Sequence, residues 1–111
     1  MTKRTSGGRT VTLRLEDDGT DFRRLTASMT PEGALSVEGH DLGPGTAIVS
    51  PDGEYEWGTT VAAADVGRLV ALLGGSAGDD VLERSYTGAG SYEFERILRE
   101  SDIPVERWTW A

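Results

Sequence analysis

The chain has 111 residues, 37% of them hydrophobic and 27% charged, with a net charge of −8 and no cysteine. That is the size and composition of one globular core, and it excludes disulfides, thiolate catalysis and cysteine-based zinc sites. No apolar run approaches the roughly 20 residues of a membrane span. The opening MTKRTSGGR has no apolar segment behind its basic residues, so it does not read as a secretory signal, and the expected location is cytoplasmic.

The charge is unevenly spread. Residues 1–24 hold six basic and four acidic groups, whereas 25–111 hold five basic and fifteen acidic ones. Between Arg24 and Arg68 there is no lysine or arginine, while Glu32, Glu38, Asp41, Asp52, Glu54, Glu56 and Asp65 all fall in that interval. Such a body repels phosphate backbones, so nucleic acid is not an expected partner of the folded domain. Acidity also serves solubility alone.

In chain order, residues 1–9 read as a flexible basic arm and 10–111 as a single α+β domain. Thr10 to Glu16 alternates strictly and is expected to form a strand with Val11, Leu13 and Leu15 on one face. Asp17-Asp18-Gly19 supplies a turn. Phe22 to Met29 returns with Leu25, Ala27 and Met29 inward and Arg24, Thr26 and Ser28 outward. A turn at Pro31-Glu32-Gly33 leads to a third strand, Ala34 to Glu38, with Leu35 and Val37 inward. Gly39 to Gly45 holds three glycines and a proline and is expected to be a corner, with positive φ at Gly39 or Gly43.

Thr46 to Ser50 fits either a short helix or a strand, and Pro51-Asp52-Gly53 is a turn. Glu54 to Ala62 is a strand in which Tyr55, Trp57 and Thr59 share one face and Glu54 and Glu56 the other. The period then changes. Val66, Leu69, Val70 and Leu73 recur at helical spacing, and Gly74-Gly75 closes that helix. Asp79 is placed to cap a second helix carrying Val81 and Leu82. Ser91 is placed to cap a third with Phe94, Ile97 and Leu98 on one side. After Pro104, Val105 to Trp110 alternates as a last strand. Strands, then helices, then a strand make an α+β fold: an antiparallel sheet of four to five strands with two to three helices packed on one face.

Chemistry-bearing residues are few. His40, the only histidine, stands beside Asp41 with Glu38 two residues earlier. A stable metal site needs three or four ligands, and Asp52, Glu54 and Glu56 complete one only if neighbouring strands bring them within reach. The expectation from sequence is therefore no metal, no other cofactor and no catalytic residue, with His40 an exposed corner side chain. Glu54 and Glu56 lie about 7 Å apart along one strand face, the spacing of a two-carboxylate hydrolase, with nothing to suggest that either is desolvated. Gly74-Gly75-Ser76-Ala77-Gly78 lacks the lysine of a phosphate-binding loop and reads as a connector. Tyr55, Trp57, Trp108 and Trp110 are expected to lie mostly in the core.

Val37-Glu38-Gly39-His40-Asp41-Leu42-Gly43-Pro44, Glu54-Tyr55-Glu56-Trp57, Val61, the helix from Asp65 to Gly74 and Ile103-Pro104 together carry a resemblance. Over residues 34–111 the chain is similar to small uncharacterised bacterial proteins with an L-E-G-x-D-L-G segment, a Y-E-Y/W strand and a helix ending in L-G. Proteins of this kind loosely resemble immunity proteins of bacterial toxin systems. The resemblance carries over no catalytic residue. Joined to the cation-free span, it makes a non-catalytic, immunity-type binding protein the leading expectation. Its partner would be a basic toxin or effector protein, met through Glu38, His40, Asp41, Glu54 and Glu56. The alternatives are a small metal- or ligand-dependent enzyme or sensor at His40, and a homodimer paired through a strand edge. The oligomeric state is not legible in the sequence.

Overall fold

Five strands pair in the order in which the chain makes them. The computed structural model describes residues 10–43, 54–75 and 80–110. Strands β1 (Thr10–Asp17), β2 (Phe22–Met29), β3 (Leu35–Leu42), β4 (Glu54–Val61) and β5 (Val105–Trp110) form one sheet of order β1-β2-β3-β4-β5, antiparallel at every junction. Helices α1 (Ala63–Leu72), α2 (Val81–Ser85) and α3 (Gly90–Glu100) lie between β4 and β5 in sequence. The fold is the α+β arrangement expected from the pattern. The expected features at Thr46–Ser50, Pro51–Gly53 and Asp79, and the arm of residues 1–9, lie outside the described residues.

Local chemistry sets the turns. Asp18 Oδ1 accepts hydrogen bonds from the backbone N–H groups of Thr20 (2.8 Å) and Asp21 (2.7 Å), an Asx-type turn that brings β2 back along β1. At the end of α1, Gly75 N–H donates to Val70 O (2.9 Å) and Gly74 N–H to Ala71 O (3.1 Å), the paired bonds of a Schellman cap.

A bulge decides which residues of β1 face the helices. Thr12 pairs with Thr26 and Arg14 with Leu25, so Leu13 is an extra residue with no cross-strand partner. The phase of the strand reverses there. Leu13 and Arg14 are consecutive, yet both are buried. Leu15, expected beside Leu13, lies opposite Arg24 on the other face and is 63% exposed.

Between sheet and helices, Leu13, Leu25, Ala27, Leu35, Val37 and Val61 pack against Leu69, Leu73, Val81, Phe94 and Leu98. The apolar stripe of α1 meets the sheet as its period requires. Ser91 does not cap α3, whose N-cap is Ala89. It lies two residues further in, within the first turn, fully buried, and its hydroxyl donates to Gly88 O at 2.6 Å.

Two glycines are in the sheet because tryptophans lie on them. Gly39 pairs with Trp57, and a Cβ built on Gly39 would sit 2.1 Å from the Trp57 ring. Gly58 pairs with Trp108, and its Cβ would sit 2.1 Å from Trp108 Nε1. An aromatic ring laid across a strand glycine fills the missing side-chain volume. This corrects the expected corner: β3 runs on through Gly39, His40 and Asp41 to Leu42, bonded to a strand on each side, and the positive φ falls at Gly43 (122°). The two rings lie on opposite faces. Trp57 is half-buried against the core and stacks with Tyr55 at 5.6 Å, whereas Trp108, expected in the core, is 43% exposed on the face that the described helices leave uncovered.

Candidate functional site

Cross-strand register assigns every sheet residue to a face. Arg24, His40 and Glu56 are successive partners across β2, β3 and β4; Thr26, Glu38, Gly58 and Trp108 form the next row across β2 to β5. These rows lie on the side away from the helices. Along that face the described residues of β2 to β5 are exposed or half-exposed, save Gly58 under its tryptophan. It carries Glu38, Glu54, Glu56 and Glu106 against Arg24.

The structure thus brings together four of the five residues singled out in the sequence. Glu38, His40, Glu54 and Glu56 share the uncovered face, because residues two apart on a strand point the same way and β3 and β4 are in register. His40 Nε2 and a Glu54 carboxylate oxygen are hydrogen-bonded at 2.8 Å, with the two side chains 22% and 34% exposed. His40, Glu54 and Glu56 each offer one ligating atom, and these atoms all lie within 4.8 Å of one another. His40 is a strand residue in a carboxylate cluster, not an isolated corner side chain. The interval free of cations in sequence is not free of them in space, since β2 places Arg24 directly across from His40.

Asp41 is the exception. It follows His40 and therefore points to the helix side, opposite Arg23. Burial pushes its carboxyl above the ordinary aspartate value; Arg23 first, then Arg14, oppose that rise.

On the same side lies a polar cluster that the sequence pattern concealed. Arg14, 6% exposed, donates from Nε to Ser91 Oγ at 3.0 Å and forms an ion pair with Glu95. Its guanidinium lies 3.6 Å from the centroid of the Tyr92 ring. Tyr92 Oη in turn donates to the Glu16 carboxylate at 2.9 Å. Arg14 alternates with Leu13 and Leu15 in sequence, which marks it as solvent-facing; only the bulge turns it inward. The cluster bonds α3 to β1 and closes on itself, so its chemistry is that of a structural fastening.

Compared with known protein families, curated proteins and solved structures, the chain shows no match to any of them.

Proposed function

We propose that this is a non-catalytic binding protein of immunity type, which takes up a basic toxin or effector protein on the uncovered face of its sheet. The observation that carries this reading is the make-up of that face: four glutamates against one arginine on β2 to β5, with an exposed tryptophan among them. Like charges on adjoining strands cost stability, and a partner's cations would offset that cost. Opposite charge raises encounter rates and sets orientation, while an aromatic side chain supplies an apolar anchor. Trp108 suits that role, since it lies flat over Gly58 with its outer face in water. Glu38, His40, Glu54 and Glu56 are the contact residues, and Asp41, on the far side of the sheet opposite Arg23, is not one of them.

The test compares three immobilised baits in lysate of the source cell: wild type, Glu54→Lys/Glu56→Lys and Trp108→Ala. The expected result is a basic protein held by wild type at low salt, released at about 0.5 M salt, and lost from both variants. Co-expression of wild type with that protein should relieve its toxicity, and co-expression of the double variant should not. Retention of the same proteins by wild type and charge-reversed baits would overturn the reading.

A further inference from the structure

We propose that His40, Glu54 and Glu56 form a binding site for one divalent transition-metal ion, with zinc as the matching ion. This inference stands apart from the partner reading, because it needs only the isolated chain.

The argument begins with geometry. Metal–ligand bonds near 2.1 Å at tetrahedral angles put ligand atoms about 3.4 Å apart. His40 Nε2 and the Glu54 oxygen are already inside that separation at 2.8 Å, and no pair in the cluster exceeds 4.8 Å. Closing the set around an ion therefore takes shifts of about 1 Å at the tips of flexible glutamates, with no movement of the backbone. The backbone is held by register: His40 and Glu56 are direct cross-strand partners, and Glu54 precedes Glu56 on the same face. A site on paired strands is preorganised in a way that a loop site is not.

Charge and donor type agree. Two carboxylates beside a neutral imidazole carry the two negative charges that a divalent ion balances. One nitrogen with two carboxylate oxygens suits zinc and its neighbours better than magnesium or calcium, which prefer oxygen alone. A simple surface ion pair between His40 and Glu54 leaves Glu56 unexplained. Glu56 adds a second negative charge to the same strand face, and among the described residues no arginine is ion-paired with it. A shared cation relieves that repulsion. Three protein ligands leave a position for water or for a side chain of a bound protein.

The chelator-treated full-length protein is titrated with zinc chloride by calorimetry. One ion per chain is expected, with micromolar or tighter affinity, and saturating zinc should raise Tm by several degrees. His40→Gln and Glu56→Gln should each weaken binding by about tenfold or more, in the manner of lost ligands. Glu106→Gln, on the same face but outside the cluster, should bind as wild type does. Cobalt(II) provides a spectroscopic readout: its visible absorption in the protein should change on His40→Gln, which a purely electrostatic role for the face would not produce. No saturable zinc binding, or wild-type affinity in both ligand variants, overturns the proposal. Because the titration contains no partner, its failure leaves the partner reading standing, and failure of the baits leaves the metal site standing. If both hold, the ion cancels the charges of Glu54 and Glu56, so zinc should weaken capture of the basic protein.

Discussion

Replacing Arg14 by methionine is the sharpest probe of this fold, because the bulge at Leu13 exists in order to bury that arginine or buries it as a consequence. Methionine keeps the apolar stem and removes the guanidinium. Three interactions go with it: the bond to Ser91, the ion pair with Glu95 and the contact with the Tyr92 ring. Ser91 keeps its bond to Gly88 O, so its hydroxyl is not orphaned. Breaking a fully buried ion pair costs about 3–5 kcal/mol, but the Glu95 side chain is 28% exposed and recovers some hydration, which lowers that to about 2–3 kcal/mol. Loss of the cation–π contact adds about 0.5–1 kcal/mol. The expected total is about 2.5–4 kcal/mol, or a fall in Tm of roughly 10–16 °C for a domain of this size. Urea unfolding followed by tryptophan fluorescence measures it. Glu95→Gln alone and with Arg14→Met completes a double-mutant cycle, in which the double variant should lose clearly less than the two single losses added. A loss below about 1 kcal/mol for Arg14→Met, with no coupling to Glu95, would place the guanidinium in water and refute the bulge.

The same bulge separates two neighbouring leucines. Leu13→Ala should cost about 2–5 kcal/mol, and Leu15→Ala at most about 0.5 kcal/mol; equal losses in denaturant midpoints would put both on one face. Asp41 makes a prediction about pH. Its native carboxyl holds a proton more tightly than the unfolded chain does, so this group's contribution to stability falls as pH rises from about the ordinary value of 3.8 through the raised native value. Asp41→Asn should therefore melt above wild type at pH 7, with the difference shrinking toward pH 4. A difference that is unchanged between those pH values, or wild type melting higher at pH 7, would contradict the desolvation argument.

Short-range physics made much of this protein legible from its residues. Alternation in Phe22–Met29 and Glu54–Val61 gave the correct inward faces, because a strand repeats every two residues whatever its neighbours do. Val66, Leu69, Val70 and Leu73 announced their helix, and Gly74 its end, for equally local reasons. The placement of Glu38, Glu54 and Glu56 on the side opposite Val37 and Trp57 followed from the same rule. What the tertiary structure alone decided depends on pairing between distant segments. The phase reversal at Leu13 is a property of β1 against β2, not of β1, so Leu15 and Arg14 exchanged the faces their spacing implied. Gly39 signals a turn when read alone and a seat for Trp57 once β4 lies beside it. The gathering of His40 with Glu54 and Glu56, the arrival of Arg24 across from His40, and the exposure of Trp108 at the β5 edge are all consequences of register. Register is set by the summed packing of a whole face, which no local stretch contains.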